Sequence, residues 1–599
     1  MSTSSPEDQQ RLPARTVWSS LVDMRFDEQR DLAETGAHAI TLQEADVELQ
    51  VMQESLLLAR RRRNSMASVL RFPEELLCRI FGYLQASWEP ARWRMYQEDV
   101  EDWEARSSAL TRYTSGWMAV THVCSTWRQT SINDPALWCA VDCRHVHPRS
   151  LDTILARAKG RMLDITSSLY ADPFESRNRG AEVSLNAATC ARIEKLDLSV
   201  IGWESENEDI VAPLSSELPN LLELKLSFLS DELPPGNVLT TTYPPKLMLL
   251  DVTDYPPPPD STLLSHTLTS LKLRYSSAAT YTLTITHLSQ ILSVLPNLQT
   301  CGLENVLCVG LEDEALQPFS VPSSLRVLTV VSSANDAMEV LTGHAVIPSS
   351  ASVMIDLHTC VSPDAGLLVA RNLFDEANLD QTRAQELILK DRCVRLCPWY
   401  LDGSQVWVGS DLRSPDFTID TVNPIGYRVL RITDIPSTGF EEVEETDTVE
   451  DIRLYLRYLP LQSVTAIAFD IFHRIGTADS WIANFSSARN VMHIYCMVAD
   501  RVSDDFIGLC AALDSFDGQE FALFPRLKTI TISFEGQPSL CERSHPHFAI
   551  VALTSVLKSR RLNNAPMQEV HVERFLESLL EEEWDEIRTL VELSSVRQV

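Results

Sequence analysis

At 599 residues the chain is too long for one ordinary core, and its 44% hydrophobic and 22% charged residues describe a folding chain rather than a largely disordered one. A formal net charge of −32, from 83 acidic against 51 basic residues, repels phosphate backbones and anionic bilayers, which excludes nucleic acid and membrane surfaces as expected partners. The opening MSTSSPEDQQ carries no export pattern, no stretch approaches ~18 apolar residues, and 13 scattered cysteines make no disulfide framework, so a cytoplasmic or nuclear setting with reduced thiols is expected.

Residues 1–40 are polar and weakly patterned and are expected to lack fixed structure. Thr41 and Glu44 then have capping-box spacing, and Ala45, Leu49, Met52, Leu56 and Ala59 fall on one stripe of a short heptad-like helix over 41–66. The run Arg60 to Arg63 reads as the basic end of that helix, complementing its dipole, in preference to a nuclear localisation signal.

The next segment, VLRFPEELLCRIFGYL, predicts a helix opening at Pro73, a residue whose missing N–H suits the first helical position, with Glu74 and Glu75 in the first turn. Leu76, Leu77, Ile80, Phe81 and Leu84 give it an apolar face too wide for a free helix of this length. A polar, tryptophan-containing stretch at about 85–116 reads as an insertion holding one irregular helix. Order resumes at Trp117, with Val120, Val123, Cys124 and Trp127 at helical spacing, a turn at Asn133-Asp134-Pro135, and an apolar close at Leu137-Trp138.

Taken in order, Phe72-Pro73-Glu74-Glu75-Leu76-Leu77, Ile80-Phe81, Leu84, Val123-Cys124, Trp127-Arg128 and Leu137-Trp138 resemble an F-box of the fungal type spanning 67–145, with phenylalanine at 72 where leucine is usual. The resemblance implies docking on a Skp-type adaptor and, through it, a cullin scaffold carrying a RING subunit. The residues it carries over are Phe72, Pro73, Leu76, Leu77, Ile80, Phe81, Leu84, Val123, Cys124, Trp127, Leu137 and Trp138. Some would face the adaptor and others the motif's own core, a division the sequence leaves open.

From Ile193 onward a figure recurs in which an apolar residue, two others, an apolar residue, one other and an apolar residue follow one another. It reads Ile193-Leu196-Leu198, Leu221-Leu224-Leu226, Leu247-Leu250-Val252, Leu268-Leu271-Leu273, Leu298-Cys301-Leu303 and Leu325-Leu328-Val330, with starts about 21 to 30 residues apart. It returns less regularly as Tyr427-Leu430-Ile432, Val464-Ile467-Phe469, Val491-Ile494-Cys496 and Leu527-Ile530-Ile532. This is similar to degenerate leucine-rich repeats. The expected fold class is α/β: an all-helical F-box module, then over 146–599 an irregular solenoid of short parallel strands with helices on its convex side. Leu576, Leu579, Leu580, Trp584, Ile587 and Val591 predict a capping helix at about 573–592. The usual polar residue after each strand is mostly missing, so irregular turns are expected. The prolines at 234–235, 244–245 and 256–259 and the acidic run Glu441 to Asp451 read as rim loops.

No P-loop, nucleophile elbow or zinc helix occurs, and no cofactor is expected. Cys139, Cys143, His145 and His147 are the densest metal-type donors, but their crowding and their place after the Trp138 turn favour a structural reading over zinc. Cys393 and Cys397 read as core thiols. The expectation is a non-catalytic substrate-recognition subunit of an SCF-type cullin-RING ubiquitin ligase, its repeats holding an unknown protein target with a complementary basic surface. The competing reading is a repeat scaffold outside any ligase.

Overall fold

The computed structural model describes residues 6–26, 42–95, 110–170, 187–201, 217–229, 244–255, 257–275, 282–310, 317–358, 363–375, 385–390, 393–398, 427–433, 456–470, 476–499, 504–535, 544–573 and 581–596. They divide into two compact units, Met1–Leu163 and Asp164–Val599. The division thus falls later than the expected boundary at 145/146. The acidic run 441–451 and Leu576, Leu579 and Leu580 lie outside the described residues.

In the first unit, residues expected to lack structure form helix α1 (Pro6–Phe26). Arg25 in its last turn complements the negative end of the helix dipole, so charge placement supports this helix where an apolar stripe was lacking. Helix α2 (Leu42–Ser65) follows, with Arg25 of α1 3.6 Å from Glu48. Its heptad-like stripe buries none of its residues. Helix α3 (Glu74–Ser87) begins one residue later than expected, Pro73 serving as N-cap.

The insertion holds no described helix. It is an antiparallel pair, β1 (Ala91–Met95) and β2 (Leu110–Thr114), in which Arg92 and Tyr113 face each other across the register, so this unit is not all-helical. Aromatic and β-branched residues at Trp93, Thr111, Tyr113 and Thr114 favour the pleated conformation and outweigh the helical reading. Its two ends are pinned: the Trp117 amide donates to the Trp88 carbonyl at 2.8 Å, and Gly116, at φ +49°, passes so close to Glu89 and Pro90 that a Cβ would lie 2.4 Å from the Glu89 carbonyl carbon. The chain before β1 and the chain after β2 are therefore held together at one point.

The helical spacing over Trp117–Trp127 is split. Gly116–His122 is a 3-10 segment, and Cys124 caps helix α4 (Ser125–Asn133), its sulfur accepting from the Trp127 amide at 3.5 Å. A 3-10 turn, Pro135–Trp138, closes the arrangement under an Asp134 cap, and helix α5 (Pro148–Arg157) packs on it.

The second unit is mixed α/β, built on one large and mainly parallel sheet. Strands β3 (Ile193–Ile201), β4 (Glu223–Leu229), β5 (Leu249–Thr253), β6 (Ser270–Arg274), β7 (Thr300–Glu304), β8 (Val327–Ser332) and β9 (Ser352–His358) pair in chain order and in parallel. The order then breaks. Of β10 (Gln385–Lys390), β11 (Cys393–Pro398) and β12 (Arg428–Thr433), it is β12 that pairs with β9. β11 runs antiparallel between β12 and β10, and β10 passes the sheet on to β13 (Val464–Asp470). From there β14 (His493–Ala499), β15 (Thr529–Glu535), β16 (Glu569–Glu573) and β17 (Glu592–Val596) continue in parallel.

Every occurrence of the apolar figure lands on one of these strands. Leu196, Leu224, Leu250, Leu271, Cys301, Leu328 and Val353 form one register column, and Leu198, Leu226, Val252, Leu273, Leu303, Val330 and Ile355 the next, none more than 4% exposed. Alternation puts these residues on one buried face, where no strand could hold its place alone. At β12 the figure is displaced by one step of the alternation: Arg428, not Leu430, stands in the first column opposite Val353, fully buried, and donates to the carbonyls of Ala351, Tyr427 and Pro348.

The turns entering the strands repeat as well. Leu221, Leu247, Leu268, Leu298, Leu325, Val491 and Leu527 each donate three residues back, and the amide that follows bonds to the preceding strand's entry. Asparagine does supply a side-chain bond, but ahead of the strand: Asn220, Asn297 and Asn490 each donate at 2.8 Å to a carbonyl one connection earlier, those of Ala191, His266 and Gln462. Helices α6 (Ile285–Ser293), α7 (Asn335–His344), α8 (Pro363–Leu373), α9 (Ala478–Phe485), α10 (Asp504–Asp514), α11 (Ser544–Leu562) and α12 (Glu581–Leu590) fill connections between strands, and most pack on the next in chain order. Of the capping helix expected at about 573–592, α12 supplies 581–590, residues 574–580 lie outside the described residues, and β17 follows, so the described chain ends on a strand.

Candidate docking surface

Helix α3 carries two apolar stripes with different fates. Leu77 and Phe81, four apart, are 1% and 0% exposed and face α4 and the 3-10 segments. Phe81 meets Trp127 edge-on with ring centres 5.2 Å apart, Trp117 lies 5.0 Å from Trp138, and the Trp138 indole donates to the Ser131 carbonyl at 2.7 Å. Gln85 at the end of the helix reaches the Leu137 carbonyl at 3.3 Å. These contacts make Leu77, Phe81, Leu137 and Trp138 core residues, with Leu84, Cys124 and Trp127 half-buried.

The second stripe faces outward. Phe72, Leu76 and Ile80, spaced by four, are 47%, 45% and 38% exposed, Pro73 is exposed beside them, and Val123 is 58% exposed at the end of its 3-10 segment. Each aliphatic side chain kept in water forgoes about 1.5–3 kcal/mol that burial would supply. Tyr83, three residues beyond Ile80 and 77% exposed, extends the stripe. It is absent from the motif residues, although its spacing was there to be read.

Chemistry on this helix is muted. Burial first, and then the Asp134 carboxylate, push the Cys78 thiol up to about 11, so it stays protonated at neutral pH. Of the metal-type donors, Cys139 bonds the Pro135 carbonyl, and burial pushes the core thiol of Cys143 up to about 12. His145 lies 3.8 Å from Asp142, and His147 caps α5. No group of three such donors converges among the described residues. The side chains of Cys393 and Cys397 lie outside the described residues.

In the second unit, the sheet face opposite the leucine columns is polar along β3 to β6. Asp197, Lys225, Asp251 and Lys272 alternate in sign across four strands, and Lys195–Glu223 (2.6 Å) and Arg274–Asp251 (2.7 Å) pair along them. Farther on, His493 lies 2.8 Å from the Thr529 hydroxyl and His571 3.0 Å from Glu569. Between these ends Ile388, Tyr427, Val429, Ala468 and Tyr495 form a buried apolar cluster.

No helix among the described residues is long and apolar enough to cross a membrane. No protein-family model matches the chain, and no curated protein matches it.

Proposed function

We propose that the protein is a non-catalytic substrate-recognition subunit of an SCF-type ubiquitin ligase, docking through an F-box on a Skp-type adaptor and through it on a cullin scaffold. The observation that carries this reading is the outward stripe of Phe72, Leu76, Ile80 and Tyr83 on a helix whose inner stripe is already seated. Apolar residues at helical spacing on a stable helix are the means by which a helix enters a partner's groove. The pinned ends at Trp88 and Trp117 explain how the motif accommodates its insertion, since the elements on either side keep their packing.

The second unit then acts as a leucine-rich-repeat receptor. In-register apolar columns, recurring entry turns and the asparagine bonds support that reading, and the alternating Asp and Lys face offers a charged surface to a protein target. Its contribution to ubiquitin transfer is proximity: holding a target near the charged conjugating enzyme raises effective concentration without adding catalytic groups.

Co-purification of the full chain with a Skp-type adaptor tests the reading. Wild-type protein is expected to retain the adaptor, and Leu76→Asp with Ile80→Asp to lose it while keeping the wild-type circular dichroism. Adaptor binding by the folded double variant, or none by the wild type, overturns the proposal.

A further inference from the structure

The first unit contains a cavity of about 530 Å³, framed by β2, the Gly116–His122 segment, α4, the loop after Cys143 and α5. Its volume lies in the range of small-molecule sites. In a chain with 83 acidic and 51 basic residues, its lining includes no aspartate or glutamate, yet includes Arg128, Arg149, Arg157, His122, His145 and His147.

Two of the arginines are held in place. Arg128 donates through Nε to the Thr121 carbonyl at 2.7 Å, and the Arg157 guanidinium lies over the Trp138 ring at 4.4 Å. A guanidinium fixed at one edge or face has less side-chain entropy to lose when its remaining N–H groups meet an anion. No carboxylate pairs with Arg128, Arg149 or Arg157 among the described residues; the nearby Asp142 is engaged by Arg144 at 2.7 Å. His145 keeps Nδ1 buried and without a hydrogen-bond partner among the described residues. The hydroxyls of Ser150 and Thr153 add donors, while Ile132, Val146 and Ile154 line the cavity with apolar surface. The end of α5 contributes little by itself, because the His147 ring already accepts from the Arg149 amide.

We infer that this cavity binds a small, soluble, phosphate-bearing molecule, its phosphate held by Arg128, Arg149 and Arg157 and its organic part by the apolar wall. Three guanidinium groups with hydroxyl and imidazole donors match the several oxygens of a phosphate group, and the size leaves room for more than the anion. The inference is independent of the adaptor reading, since none of the outward residues Phe72, Leu76, Ile80 or Tyr83 lines the cavity.

Calorimetric titration of the full-length protein at low ionic strength tests it, with inorganic pyrophosphate, AMP and a phosphoserine peptide as probes. Pyrophosphate or AMP should bind with a dissociation constant below about 1 mM. Arg149→Glu and the milder Arg149→Gln should each weaken that binding about tenfold or more, while Arg60→Glu, a charge reversal on α2 away from the cavity, changes it less than about twofold. Circular dichroism of each variant separates lost binding from lost fold, and Arg149→Gln serves where Arg149→Glu misfolds. Silence toward both small probes, equal weakening by Arg60→Glu, or a phosphopeptide bound about tenfold tighter than either small probe overturns the assignment.

Discussion

Leu76 and Leu77 are consecutive residues of one helix, and the first is 45% exposed while the second is 1% exposed. A rotation of roughly 100° per residue separates a side chain seated against α4 from one left in water. Truncation should register that difference. Leu77→Ala is expected to cost about 2–5 kcal/mol of stability and Leu76→Ala less than about 0.5 kcal/mol, measured by urea denaturation of the first unit's transition. Equal losses at the two positions would contradict the assignment of inner and outer stripes.

Gly116 should resist replacement. At φ +49°, with a Cβ position 2.4 Å from the Glu89 carbonyl carbon, Gly116→Ala must strain the backbone and displace the neighbouring chain. The expected loss is about 2 kcal/mol or more, visible as faster amide exchange around Trp88 and Trp117. Gly160→Ala, where nothing lies within 4 Å of the added carbon, is the control and should stay within about 0.5 kcal/mol of wild type.

The entry-turn asparagines predict a graded effect. Asn297→Ala removes a donor from the His266 carbonyl and should destabilise the second unit by about 1 kcal/mol. Asn297→Asp should not restore it, because a carboxylate cannot donate to a carbonyl. Recovery of full stability with aspartate would show that this bond does not matter.

Acid should act through His493. Burial first, and then the positive charge of Lys528 against a smaller opposing pull from Glu569, hold its imidazole below the ordinary value of 6.5. The unfolded chain therefore takes up the proton before the folded one does. The stability this group allows is complete above about pH 6.5 and declines as pH falls below it. His493→Gln should shrink the drop in urea midpoint between about pH 8 and pH 5.5, and an unchanged drop would rule the residue out.

Periodicity made the leucine columns legible because a buried strand face needs alternating apolar residues, and Leu196 through Val330 supply them with little interruption. The same figure was present and unread at Met567-Val570-Val572, which forms β16, with all three residues buried. β9 was hidden because Ser350 stands three residues before Val353, where the figure needs a large apolar entry residue. The order of β10 to β12 could not be read at all: pairing partners far apart in sequence leave no local trace, and Arg428 in the apolar column masked the register. On α3 the apolar residues were legible but their division was not, since a stripe of 76 and 80 and a stripe of 77 and 81 are equally regular. Only the packing of α4 and the Trp138 turn separates them.

The break in strand order between β9 and β13 makes the second unit's two flanks unequal to its middle. Along β3 to β8, or β13 to β17, each strand's neighbours are its predecessor and its successor, so loss or duplication of one strand with its connection leaves both remaining neighbours able to pair. The middle has no such freedom. β9 waits for a partner that brings Arg428 to the carbonyl of Ala351 across 77 residues, and antiparallel β11 fits only if β10 and β12 are both in place. Length variation during evolution should accumulate on the flanks and spare this junction. In folding, the two flanks can zip up separately, and closing the long loop between them comes last because its entropy is repaid only once both sides exist.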